Sequence, residues 1–265
     1  MTKYVPVAEQ SEEDLKWMRE ALAMAQDAFS AAEVPVGSVF VRNGELIAKA
    51  RNRTNELMNA TRHAELEAID YILSIFPPKT ENFPLSPHSG PPGDNPFAET
   101  TLYVTIEPCI MCASALRQVG IKRVCFGAGN ERFGGNGSVV PVHSDPMLKN
   151  APPYEAVGGF YREDAIMLLR RFYLTENVYA PNPRSKAKRV LKTVFQPPGV
   201  SMHGPNGQNL KKPSSRQRIR SGNNTRSSTP GGTSDASGSG AEAMSSSTSA
   251  LPPKHPVEII KNAGD

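Results

Sequence analysis

The run Glu107-Pro108-Cys109-Ile110-Met111-Cys112 constrains the fold of this chain more than any other stretch. It lies where two patterns meet. Thr101 to Ile106 reads as a strand, and the apolar spacing through Leu116 reads as a helix. Pro108 suits a helix start, because its missing N–H would go unpaired there anyway. Cys109 and Cys112 then lie one turn apart and face the same way. Two thiolates so placed are half a zinc site. The positive end of the helix dipole also favours anionic sulfur.

A second helical pattern (Leu66, Ile69, Leu73, Phe76) opens on His63-Ala64-Glu65. H-x-E followed by P-C-x-x-C is the known signature of zinc-dependent nucleobase deaminases. One His and two Cys leave the fourth zinc position open for water, which marks a catalytic rather than a structural site. A C-x-x-C pair can instead be a redox couple, but that leaves His63 and Glu65 without a role. A closed structural zinc would need one more ligand. Cys125, the remaining cysteine, sits in an apolar strand pattern and is expected to be a small buried hydrophobe.

Three cysteines give no disulfide framework, so a reducing compartment is expected. No apolar run approaches the roughly 20 residues needed to span a bilayer, and residues 1–10 lack a signal-peptide core. The expected protein is soluble and intracellular, in cytoplasm and nucleus, without membrane attachment. The formal charge of +4 hides an asymmetry. Between Asn177 and Ser234 there are 11 Lys or Arg and no Asp or Glu. The remainder holds 19 basic and 26 acidic residues, a net of −7. An acidic body with a basic arm is the layout of a chain that meets a polyanion through the arm. The cluster Arg184, Lys186, Lys188, Arg189 and Lys192 is expected to contact RNA, or to serve as a nuclear import signal. From Arg216 onward, incidental charge on a solvated tail is expected.

Taken in order, residues 1–10 are expected to be a flexible N-terminus. Ser11 looks like a helix N-cap, followed by an apolar stripe of Leu15, Met18, Leu22, Ala25 and Phe29. Trp17 lies off that stripe. Val34 to Val41 and Glu45 to Ala50 read as strands joined by Asn43-Gly44, a type I′ hairpin signal. Residues 77–99 are rich in Pro and Gly and fit a surface insertion. Gly120 is a plausible helix C-cap, with a strand from Ile121 to Phe126 after it. Gly127 to Ser138 is glycine-rich without a P-loop Lys, which suggests a loop beside the active site. Ala156 to Phe160 suits a short edge strand, and Ala165, Leu168, Leu169 and Phe172 a last amphipathic helix. Strands alternating with helices argue for a layered α/β domain over residues 11–180. A basic segment follows at 181–195. Residues 196–265 form a low-complexity tail too poor in apolar groups to offset ordering entropy.

These residues resemble the cytidine/deoxycytidylate deaminase superfamily. They are most similar to the catalytic subunits of eukaryotic tRNA-specific adenosine deaminases, which convert adenosine to inosine at the anticodon wobble position, 34. The similarity rests on Glu33 to Gly37, Asn59 to Glu65, Glu107 to Ala113 and Asn130 to Gly135, within residues 11–195. It implies a three-layer α/β/α domain with a mixed five-stranded sheet, and Zn2+ held by His63, Cys109 and Cys112. It implies Glu65 as proton shuttle, tRNA as substrate, and a heterodimer with a related subunit lacking that glutamate. It further implies substrate contacts from Asn52, from the Ala64 backbone N–H and from Val34. A relative acting on free cytidine or deoxycytidylate is the alternative, which the basic arm argues against. An RNA-binding scaffold with a vestigial zinc site is disfavoured by the intact Glu65.

Overall fold

In the computed structural model, residues 2–76, 95–149, 151–176, 185–186 and 188–197 are described. Their elements are β1 (Lys3–Tyr4), α1 (Glu12–Ser30), β2 (Gly37–Arg42), β3 (Glu45–Arg51), α2 (Ala64–Ile75), β4 (Thr100–Ile106), α3 (Ile110–Val119), β5 (Arg123–Ala128), β6 (Glu155–Gly158) and α4 (Arg162–Leu174). The strands form one mixed sheet in the order β1-β6-β5-β4-β2-β3. β2 pairs antiparallel with β3 and β4, and the β4, β5, β6 and β1 pairings are parallel.

The period-two alternation of strands sorts side chains between the two faces. Leu102 and Val104 of β4 and Val124 and Phe126 of β5 share a core with Ala68, Ile69 and Ile72 of α2 and Leu116 and Val119 of α3. Tyr103, Cys125, Val39 and Val41 point the other way and pack with Trp17, Met18 and Ala21 of α1. Ala165 of α4 joins Ile106 and Ala128 beside Leu22 of α1. Helices therefore cover both faces, the α/β/α layering expected. The Asn43-Gly44 hairpin forms with both residues at positive φ, and Gly120 ends α3 in the left-handed conformation.

Several expectations change. The sheet has six strands rather than five, because Lys3 and Tyr4 pair in parallel with Val157 and Gly158. Residues 2–10 are thus not simply flexible: Val5 N–H donates to Gly158 O, and Gln10 Nε2 donates to Val5 O and Gly159 O. The insertion of 77–99 reaches the core at its end. Phe97 is fully buried against Phe40, and Asn95 Nδ2 donates to Val119 O; residues 77–94 lie outside the described residues. The buried face of α1 is Asp14, Trp17, Met18, Ala21, Met24, Ala25 and Ala28, turned slightly from the expected stripe. The reason is a close crossing. A Cβ on Gly37 would sit 2.2 Å from Ala21 O and 2.4 Å from Ala25 N, so small residues must face the sheet there. Leu22 and Phe29 turn toward α4 instead, with Phe29 edge-on to Phe172. Finally, α3 begins at Ile110 with Cys109 as its N-cap, so Pro108 precedes the helix rather than opening it.

One buried charge ties α1 to the sheet. Asp14 accepts hydrogen bonds from Tyr103 Oη at 2.9 Å and from Arg123 Nη1 at 2.8 Å and Nη2 at 3.3 Å. Burial pushes its pKa up, but the bonds from Arg123, Ser11 and Tyr103 outweigh this and hold it below the usual carboxylate value. A depressed folded-state pKa adds stability that is complete above the unfolded value and is lost as pH falls through the folded one. Asp14→Asn is expected to lose roughly 1.5–3 kcal/mol at neutral pH, since an amide cannot accept at both positions. Below about pH 4 the variant should lose stability less steeply than wild type. Urea denaturation at pH 7 and pH 3 reads both effects, and parallel curves would remove Asp14 from this role.

Candidate metal centre and active site

Two helix N-termini converge on one point. His63 is the N-cap of α2 and Cys109 the N-cap of α3, with Cys112 in the first turn of α3. Cap residues have extended backbone, which lets their side chains point along the helix axis instead of lying against its flank. His63 Nδ1 lies 3.6 Å from Cys109 Sγ and 3.4 Å from Cys112 Sγ. All three donor atoms fall within 4.8 Å of one another. Tetrahedral zinc with bonds of ~2.3 Å to sulfur and ~2.0 Å to nitrogen needs N···S separations of about 3.5 Å. The donor set fits that ion in both chemistry and spacing, and it comprises three protein ligands, the number found in catalytic zinc sites. The hydrogen bond between the two thiols pushes Cys109 down, with His63 adding to the shift, and pushes Cys112 up, so the pair shares one negative charge.

Glu65 lies two residues beyond His63, on α2, and is only 3 % exposed. It is not a member of the donor group. Burial pushes its carboxyl up to about 7, with His63 opposing the shift and Cys109 adding to it. A carboxyl that is half ionised near neutrality can both take and return a proton.

Asn52, at the end of β3, is held from two sides. Arg51 Nη1 donates to its carbonyl at 3.0 Å, and its own Oδ1 accepts from Ala64 N at 2.8 Å. The Ala64 N–H, expected to meet the substrate, donates to Asn52 Oδ1 in this structure. The Asn52 Nδ2 group makes no hydrogen bond among the described residues, and the residue is 5 % exposed. Val34 is half-buried in the turn before β2.

The basic segment is placed differently from a free arm. Lys186 Nζ donates to Thr175 O and its backbone N–H to Glu176, while Arg189 Nη1 donates to Tyr173 O. Both side chains thus serve the carbonyls at the C-terminal end of α4. Lys188 is exposed, with no side-chain partner among the described residues. Arg184 lies outside them.

Two buried carboxylates near the site had no role assigned from sequence. Glu33 is fully buried and accepts from Thr54 Oγ1, Asn55 N and Glu56 N, fixing the loop that follows Asn52. Glu107, 1 % exposed, accepts from Asn130 N at 2.8 Å, Asn136 N at 2.9 Å and Ser138 N at 3.1 Å. That loop returns to the metal ligands: Ile110 N–H donates to Phe133 O, and Gly135 N–H to Pro108 O. An outer ion network adds Arg53 and Arg62, which share the Glu67 carboxylate at 3.3 and 3.2 Å. The only hint in sequence was the presence of Glu33 and Glu107 beside recognisable motifs, since their partners are backbone groups of distant loops.

Residues 11–128 match the family model for the cytidine and deoxycytidylate deaminase zinc-binding region. The chain is 47% identical over 176 residues to the tRNA-specific adenosine deaminase subunit tad2 of Schizosaccharomyces pombe, covering 66% of this chain but 41% of that longer protein. It is 42% identical over 179 residues to tRNA-specific adenosine deaminase 2 of Xenopus tropicalis, covering 68% of this chain and 98% of the relative. Among solved structures, a chain described under A-to-I editing by tRNA:A34 deaminases at the wobble position is 32% identical. The match covers 58% of this chain and 98% of that one, with a TM-score of 0.47. With a relative matched over nearly its whole length and the signature residues gathered at one point, this chain belongs to the tRNA-specific adenosine deaminases, a branch of the cytidine and deoxycytidylate deaminases.

Proposed function

We propose that this chain is the catalytic subunit of an enzyme that hydrolyses adenosine 34 of tRNA anticodons to inosine and ammonia. It works beside a homologous subunit that lacks the catalytic glutamate. The observation that carries this is a three-donor zinc set with a buried, non-ligating carboxyl, Glu65, directly behind its first ligand.

Zinc, held by His63, Cys109 and Cys112, supplies Lewis acidity that lets water act as a nucleophile at neutral pH. Glu65 accepts the proton given up by the attacking water and delivers it to ring nitrogen N1, which makes C6 more electrophilic. It then takes the hydroxyl proton of the tetrahedral carbon and gives it to the departing amine, so that the carboxylate ends as it began. Asn52 presents Nδ2 to the base or its ribose, its own orientation locked by the Ala64 N–H bond. Val34 walls the base pocket.

The proposal is tested by incubating the purified chain, alone and with the homologous subunit, with tRNA transcripts carrying adenosine 34 and with free adenosine, cytidine and deoxycytidylate. Inosine at position 34 with negligible turnover of the free compounds is expected. Turnover of cytidine or deoxycytidylate in preference to tRNA would overturn the substrate assignment.

A further inference from the structure

Residues 188–195 run back along the exposed side of α4, and one side chain holds them there. Arg170 Nη1 donates to Lys192 O at 2.6 Å and to Val194 O at 3.1 Å. Its guanidinium lies over the Phe195 ring, 4.9 Å from the centroid. One guanidinium nitrogen bonds both carbonyls while the planar group lies over a ring, which fixes the segment in place and in orientation; the planar contact is what an ammonium lacks. At the near end, Lys186 and Arg189 are directed at Thr175 O and Tyr173 O. Cations at a helix C-terminus satisfy its last carbonyls and suit its dipole. Lys188 and Lys192 are left: both are exposed, and neither side chain has a partner among the described residues.

We propose that Arg170 clamps this segment against α4 so that Lys188 and Lys192 present a fixed pair of ammonium groups to the phosphate backbone of a polynucleotide. Lys186 and Arg189 close the end of α4 rather than meet phosphate. The four described residues of the basic cluster thus divide into two working parts. Arg170 is a positioning residue, bonded to backbone carbonyls and to a ring instead of to RNA. The polynucleotide half of this proposal rests on the proposed function; the clamp does not.

Limited trypsin digestion of the full chain without RNA reads the clamp, with cleavage after Lys188, Arg189 and Lys192 followed by mass. Arg170→Ala should be cut at these sites at least about fivefold faster than wild type, because protection reports local order. Arg170→Lys keeps the charge but loses the planar group that lies over Phe195, and should be cut as fast as Arg170→Ala. If Arg170→Lys is protected like wild type, or Arg170→Ala is cut no faster, the clamp is wrong. For the second half, tRNA binding by the two-subunit complex is titrated with salt. Lys188→Ala with Lys192→Ala should lower the slope of log K against log[salt] by about 1.4–1.8, at ~0.7–0.9 for each phosphate no longer neutralised. Lys186→Ala with Arg189→Ala should lower it by less than half as much. Equal changes for the two pairs, or none for the first, would overturn the division. A complex that forms no inosine at position 34 would sink the proposed substrate, while the digestion pattern still decides the clamp.

Discussion

Glu65→Ala is expected to bind zinc as the wild type does and to lose deamination by about 10³-fold, the middle of the range for a general acid–base group. The two halves of this result come from different observations. Zinc is retained because Glu65 is outside the donor group, whose three members all lie on the first turns of α2 and α3 or at their caps. In the proposed mechanism every proton passes through this carboxyl, so activity is lost without it. Stability should be unchanged or slightly higher, since an ionisable group is removed from a site that is 3 % exposed. Glu65→Gln separates size from charge: it fills the same space, cannot shuttle a proton, and should be as inactive as Ala. Metal content by atomic spectroscopy and single-turnover inosine formation give the two readouts. An alanine variant that has lost its zinc, or one that deaminates within tenfold of wild type, would show that Glu65 has a different task.

How far the sequence carried depends on the range of the interaction. Local signals were legible: Asn43-Gly44 made its hairpin, Gly120 closed α3, and Ser11 capped α1 through Asp14 N. The donor set was legible too, because residue type and spacing within one helical turn are sequence properties, and His63 carries a signature of its own. What escaped depends on distant partners. Lys3-Tyr4 is too short to alternate and becomes a strand only where β6 offers an edge. The face that α1 buries is set by contact with Gly37, which no periodicity within α1 reports. Ala64 N–H finds Asn52 Oδ1 across 12 residues, so a donor that looked free is internal. The basic run was read as one object because its residues share a charge. The structure divides them by what each side chain touches, and that division follows from the end of α4 and from Arg170.

Glu107→Ala should be the most destabilising single change at the site, by about 3–5 kcal/mol, with a fall in Tm on the order of 10 °C. The carboxylate is the acceptor for three backbone N–H groups, those of Asn130, Asn136 and Ser138. Removing it strands those donors in a place where water has little access: Glu107 is 1 % exposed, and Asn136 likewise 1 %. A buried donor left without a partner costs ~1–3 kcal/mol, and partial relaxation of the loop keeps the total below the full sum. The effect should not stop at stability. The same loop pairs with Cys109 through Gly134 and accepts the first free N–H of α3, from Ile110, at Phe133 O. Loosening it frees the cap that holds a zinc ligand, so zinc affinity should fall about 10–100-fold, as for other groups that orient a metal's ligands. Glu107→Gln gives the internal control. Its one remaining carbonyl oxygen can serve Asn136 and Ser138, which share Oε1, but its amide meets the Asn130 N–H donor to donor. It should fall between wild type and Ala in both melting and zinc affinity. Thermal unfolding with and without a competing chelator separates the two losses. If Glu107→Ala melts within a degree or two of wild type, the loop is held by its own turns and the carboxylate is a bystander; if it melts early yet keeps full zinc affinity, the loop and the cap are independent.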